Sequence, residues 1–258
     1  MQVLFLTGNE SGHNFFVSRL IKAIGIDNFF VFKHHSGISD DCYFSRLYSK
    51  QSMLKPEEEY LRNFITERNK GFSDYGGMVF DNEQCFTQID QFSAELDFLM
   101  GRERFDYIFS YGSPIIHNAT VLSPNQKSVN FHFGLSRYYR GGSTNIYALA
   151  NNEYEKVGLT AHKLERNVDS GGILFEIMPI GEPDAGAILT IAELSEYLLR
   201  KAVLRLVTIV QNNNVEYSTG NYAAARLVFN RSINIESIMS AEINLRKAMA
   251  NRPKKGVR

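Results

Sequence analysis

Apolar positions along the chain recur with two periods, one suited to strands and one to helices. Val3 to Leu6 is a short apolar run, broken by Gly8-Asn9-Glu10-Ser11-Gly12, and Phe15, Phe16, Arg19, Leu20 and Ile24 then follow at mixed helical spacing. This predicts strand, glycine-containing turn and helix, the opening of an α/β unit. Phe29 to Phe32 predicts a second strand. Pro56-Glu57-Glu58-Glu59 sets proline and acids where the first turn of a helix accepts them, and Tyr60, Leu61, Phe64 and Ile65 continue its face. The glycine-containing stretch 69–81 reads as loop, and 89–100 reads as helix. Tyr107 to Tyr111 is a predicted strand ending in Gly112-Ser113-Pro114, and Ser128 to Phe131 is the next. A helix is expected over 145–149, with Ser143 as its N-cap, and strands over 157–164 and 173–180.

Ile191, Leu194, Leu198, Ala202, Leu206, Ile209 and Val210 recur every three or four residues, which predicts one long amphipathic helix stopped by Asn212-Asn213-Asn214. A last helix is expected over 235–249. The fold class is therefore α/β: a mostly parallel Rossmann-like sheet flanked by helices, with a main domain over 1–213 and a short C-terminal extension over 214–258. Ligands of such sheets bind at the carboxyl ends of strands, where Asn130, His132 and Asp169 all fall.

Composition narrows the function classes. Lys plus Arg and Asp plus Glu each total 28 in 258 residues, so no electrostatic footprint for nucleic acid exists. The one basic cluster, Arg252 to Arg258, reads as a solvated terminus. Cys42 and Cys85 match no metal or redox spacing and read as thiols in a reducing compartment. The N-terminus lacks a basic n-region, and no apolar stretch reaches membrane-spanning length, so a cytoplasmic, soluble protein is expected.

The Gly8 to Gly12 loop fits no nucleotide-binding pattern. It reads as a tight turn, with a phosphate cradle at the following helix N-terminus as the alternative. His13, His34, His35 and His117 have no ligand spacing, so no metal is expected. His162 shares a strand face with Thr160 and reads as a hydrogen-bonded structural residue beside a cleft. Asn130 and His132, two apart on a strand, point to one face, so an amide donor and an imidazole converge on one small volume. Asp169, if close, would favour the charged imidazole.

Asn130-Phe131-His132, the following Tyr139-Arg140-Gly141, Gly158-x-Thr160-x-His162 and Asp169-x-Gly171-x-Ile173 together resemble the formyltransferases that use 10-formyltetrahydrofolate. The match is dense from Asp106 to Ile180, and its motifs stand in the right order with compatible spacing. The resemblance implies that Asn130, His132 and Asp169 are the catalytic trio. It also implies that Ser113, Ile115 and Ile116 line a pterin pocket faced by Arg166, Asn167 and Val168. The family usually has His-Pro-x-Leu-Leu-Pro after the catalytic histidine; here the run is His132-Phe133-Gly134-Leu135-Ser136-Arg137, without either proline.

Among the branches of that family, a tRNA partner needs a large, basic C-terminal domain, for which this neutral chain has no room. The run Leu135 to Gly142 is similar to that of enzymes that formylate nucleotide-linked amino sugars for surface polysaccharides such as O-antigen. In that reading the partners are a nucleotide-linked amino sugar and reduced folate, and the C-terminal segment could serve a homodimer. Tyr138 and Tyr139 would stack a base or sugar, with Arg140 on a phosphate and Gly8 and Asn9 near the diphosphate. Equally, Tyr139 and Arg140 brace the loop. The alternatives are another small amine such as glycinamide ribonucleotide, hydrolysis of the formyl donor, and a non-catalytic folate-binding protein.

Overall fold

The computed structural model describes residues 1–35, 53–180, 182, 185, 188–220, 222 and 224–251; Cys42 and the basic tail lie outside them. Strand β1 (Gln2–Gly8) turns through Glu10 into α1 (Ser11–Ile24), which ends on Gly25 at φ 71°. After β2 (Asn28–His34) come α2 (Lys55–Lys70), β3 (Glu83–Phe86), α3 (Ile89–Arg102), β4 (Tyr107–Tyr111) and β5 (Ser128–His132). The chain continues through β6 (Tyr139–Gly141), α4 (Thr144–Ala150), β7 (Leu159–Lys163), β8 (Ile173–Ile177), α5 (Ile191–Gln211), β9 (Arg226–Val228) and α6 (Ile235–Ala250).

Seven strands form one sheet in the order β3-β2-β1-β4-β5-β7-β8, and β6 pairs with β9 in a separate ribbon. From β3 to β5 every neighbouring pair is parallel. The chain winds outward from β1 on one side and then from β4 on the other, which opens a crevice at the carboxyl ends of these two strands. The Thr7 hydroxyl donates to the Tyr111 carbonyl at 2.9 Å across that point.

Alternation along the strands builds two cores. Val3, Phe5, Val31, Phe109, Val129 and Phe131 face α1, α2, α5 and α6. Leu4, Leu6, Phe32 and Ile108 face α3 through Phe92, Leu96 and Met100. The long helix α5 starts with a reciprocal cap, in which Thr190 Oγ1 accepts from Glu193 N and Glu193 Oε2 accepts from Thr190 N.

The mostly parallel α/β sheet is as the sequence predicts, with three local differences. First, α2 runs through Lys70, into the stretch read as loop; Arg68 and Lys70 suit the negative end of its dipole. Second, β7 and β8 run antiparallel to their neighbours and are shorter than expected. Third, Ser143 precedes α4 but adopts a left-handed conformation (φ 56°), and its hydroxyl donates to Asn230 Oδ1 at 2.9 Å instead of capping the helix.

Leu198 is fully buried on α5, at the junction with the sheet. Leu198→Ala is expected to cost about 2–5 kcal/mol, read as a lower urea midpoint with an unchanged slope.

Candidate active site

The carboxyl ends of β4 and β5 open into a cleft of about 490 Å³. It is lined by Ser113, Ile115, Ile116 and the 164–168 loop, and by Glu10, Arg68, Phe72 and the N-terminal half of α5. Asn130, His132, His162 and Asp169 also line it.

Asp169 organises this centre. Its Oδ2 lies 3.2 Å from His132 Nδ1 and accepts the Gly141 backbone N–H at 2.8 Å. Its Oδ1 accepts from Asn130 Nδ2 at 3.2 Å and lies 3.3 Å from His162 Nε2. The antiparallel register puts Asn130 directly opposite His162 and His132 opposite Thr160, so β5 and β7 present their polar side chains together. Asp169 itself is left-handed (φ 47°), a conformation a non-glycine residue keeps only when its surroundings fix it.

Burial works against charge on Asp169, but His132, His162 and the Gly141 N–H outweigh it and hold the carboxyl well below the ordinary carboxylate range. Burial also acts on His132, lowering its pKa against the opposing pull of Asp169. The resting state is a carboxylate beside a neutral imidazole. Both ring nitrogens nevertheless face acceptors, since Nε2 lies 3.0 Å from the Tyr139 carbonyl. A second proton on the ring would therefore find its partner in place.

The Asn130 amide nitrogen contacts His162 Nε2 at 3.1 Å as well as Asp169 Oδ1. His162 Nδ1 lies 2.8 Å from the Lys163 carbonyl, which fixes the ring plane. Its Nε2 and Asp169 Oδ1 are 3.3 Å apart, and the Asn130 amide nitrogen faces both.

The backbone fits tightly around these groups. A Cβ on Gly134 (φ 156°) would meet Thr144 Oγ1 at 2.0 Å and His132 Nε2 at 2.7 Å, so Gly134 lets the chain turn directly over the imidazole.

Of the residues expected at the site, Asn130, His132 and Asp169 converge, and Ser113, Ile115, Ile116, Arg166, Asn167 and Val168 line the same cleft. Ile116 is buried in the core, whereas Ile115 and Val168 stand exposed in the cleft wall. Gly8, Asn9, Tyr138, Tyr139 and Arg140 do not line the cleft. The Tyr139 ring is buried edge-on to Tyr147 with its hydroxyl donating to Glu153, and the Tyr138 ring carries the Arg137 and Lys156 cations. From that run only backbone touches the trio, the Tyr139 carbonyl and the Gly141 N–H.

The α1 N-terminus is occupied too. Glu10 accepts from its first turn and pairs with Arg68 at 3.0 Å, while His13 fills the space over Gly8, whose Cβ would lie 2.6 Å from the ring. His162 is the member of the centre that sequence reasoning underrated. Its signal is the Thr-x-His pair of β7, which matches Asn-x-His only once β7 is known to run antiparallel. Glu10, Arg68, Phe72 and Ser195 line the cleft from three different helices or their caps and carry no local signal. Among the described residues no His, Cys, Asp or Glu group could hold a metal ion.

No protein-family model and no curated protein matches the sequence. Solved structures do. The chain is similar to a 4-N formyltransferase from Francisella tularensis, with 15% identity, 98% of this chain and 89% of that chain covered and a TM-score of 0.57. It is similar to an N-formyltransferase from Helicobacter canadensis solved with folinic acid and dTDP-3-aminofucose (15%, 95% and 81%, 0.51). It is also similar to phosphoribosylglycinamide formyltransferase from Bacillus halodurans (12%, 84% and 99%, 0.52). At these identities the likeness establishes the fold, which is that of the formyltransferases.

Because the fold disfavours charge on buried His132, its NMR titration midpoint is expected below the ordinary 6.5. The unfolded chain then binds the extra proton more readily, so this residue's contribution to stability is lost as pH falls below 6.5. A midpoint above 6.5 would mean that Asp169 outweighs burial.

Proposed function

We propose that the protein is an N-formyltransferase that moves the formyl group of 10-formyltetrahydrofolate to the primary amine of a nucleotide-linked amino sugar. The observation that carries this reading is the convergence of Asn130, His132 and Asp169 on one cleft at the switch point of the sheet.

The chemistry follows from the groups. The amine lone pair attacks the formyl carbon, and the carbonyl electrons move to oxygen. An Asn130 N–H donates to that oxyanion, and the positive charge that His132 acquires stabilises it through space. Asp169 takes up the amine proton, directly or through water, and passes it to His132. The resulting imidazolium is satisfied by Asp169 Oδ2 and the Tyr139 carbonyl. The tetrahedral carbon then collapses: its bond to folate N10 breaks as the proton held on His132 returns, through Asp169 or water, to N10, which leaves as a neutral secondary amine and restores the neutral imidazole.

Reduced folate is assigned to the part of the cleft lined by Ser113, Ile115, Ile116, Arg166, Asn167 and Val168, and the acceptor to the part lined by Glu10, Arg68 and α5. Both acceptor classes are represented among the similar folds, so the fold does not choose between them. Glu10 favours the sugar. A carboxylate at the N-cap of α1, paired with Arg68, opposes the phosphate of a small ribonucleotide at that helix N-terminus. The reading extends to a cytoplasmic step in surface-polysaccharide (O-antigen or lipopolysaccharide) synthesis and to a homodimer served by residues 214–258. Among the described residues no helix is long and apolar enough to cross a membrane.

Protein incubated with formyl donor and a panel of dTDP-, GDP- and UDP-linked amino sugars is expected to add one formyl group to one member, read by mass spectrometry. A preference of more than about tenfold in kcat/KM for glycinamide ribonucleotide, about 1.4 kcal/mol, would overturn the sugar assignment.

Replacing His132 with Ala or Asp169 with Asn is expected to lower kcat by on the order of 10²–10³, with far-UV circular dichroism unchanged. Full activity in either variant would remove the mechanism.

A further inference from the structure

Asp169 and the backbone groups that hold it lie on two separate loops, and one short stretch of the C-terminal extension grips both. On the aspartate side, Ser218 and Ile173 exchange backbone hydrogen bonds at 2.8 and 3.0 Å, and the Ser218 hydroxyl donates to the Ile173 carbonyl at 3.0 Å. Tyr217 packs over Gly172 closely enough that a Cβ there would lie 2.9 Å from it. The Tyr222 hydroxyl donates to the carbonyl of Gly171, two residues beyond Asp169. On the histidine side, β9 pairs with β6 in parallel, Arg226 N donates to the Tyr138 carbonyl at 2.9 Å, and Gly142 N donates to the Val228 carbonyl at 3.0 Å. Gly141 sits at φ 94° with no room for a side chain, because a Cβ would lie 2.2 Å from the Val228 carbonyl oxygen. Asn230 then enters the cleft wall and accepts from Ser143.

We propose that residues 217–230 frame the reactive centre and that Tyr222 is a positioning residue for Asp169. The inference rests on the formyl-transfer reading for its kinetic consequence, but not for its geometry. The left-handed Asp169 is held on one side by the Gly141 N–H, whose direction depends on β9, and on the other by a Gly171 carbonyl tied to Tyr222. Tyr222 is suited to a fixed donor role, since burial, with Glu165, Glu176 and Asp169 nearby, pushes its phenol up to about 12, so it keeps its proton throughout the working range. Without that bond the loop can relax toward right-handed backbone, and the carboxylate moves away from His132. A small displacement of a reacting group costs far more in turnover than in stability.

The test is Tyr222→Phe, which keeps the ring and removes the hydroxyl. The expected result is a fall in kcat on the order of tenfold with KM and melting temperature close to wild type, together with a moved NMR titration midpoint of His132. Asn230→Ala is the companion variant; it leaves Tyr222 in place and is expected to leave the His132 midpoint unmoved. An unmoved His132 midpoint and unchanged kcat in Tyr222→Phe would overturn the proposal, as would a lowered melting temperature with kcat intact. The His132 titration needs no substrate. If wild type transfers no formyl group, the functional reading falls, while a His132 midpoint moved by Tyr222→Phe still upholds the positioning role.

Discussion

A single buried carboxylate sets the terms for this molecule. A charge removed from water is tolerated only where donors replace the lost hydration. Asp169 finds contacts to a backbone N–H from β6, an amide and an imidazole from β5, and a second imidazole from β7. Each requirement propagates outward. The N–H of Gly141 demands a backbone without a side chain, the second imidazole demands an antiparallel β7, and the first demands a glycine turning over its edge. The architecture around the crevice can be read as the set of conditions that keep this charge dry and paired.

That arrangement also explains how a neutral, buried histidine can accept a proton. Burial keeps His132 uncharged at rest, yet the carboxylate and the Tyr139 carbonyl await both of its hydrogens. Little reorganisation is needed when charge arrives, and such preorganisation is the main source of electrostatic catalysis. The environment holds the pair one proton short of its best hydrogen bonding.

The sheet, its long C-terminal helices and the convergence of Asn130 with His132 were legible in the sequence, because each rests on local periodicity: two residues apart on a strand is one face, whatever the tertiary setting. Strand direction was not legible in the same way. Nothing within 159–163 says that the strand runs backwards, and that one bit decides whether His162 meets the carboxylate. The Tyr138-Tyr139-Arg140 run misled for a related reason. Its side chains advertise recognition chemistry, but a three-residue strand pairing with β9 turns them into the packing around Tyr147 and Glu153, so only main-chain atoms reach the trio. The part of the cleft lined by Glu10, Arg68 and Ser195 was invisible, because these residues come together only through the packing of α1, α2 and α5.

The direct opposition of Asn130 and His162 has a consequence for how this site can change over time. Their alignment is fixed by the β5–β7 ladder, and a slip of one residue would turn His162 to the far side of the sheet. Most of the chain between the two strands is fixed as well, since Asn145, Ile146, Leu149 and Val157 are buried. The exposed turn at Asn151 and Asn152 is under no such restriction. Changes there can reshape the surface while the groups around Asp169 stay in register, so selection can alter the outside of such a protein without renegotiating its interior.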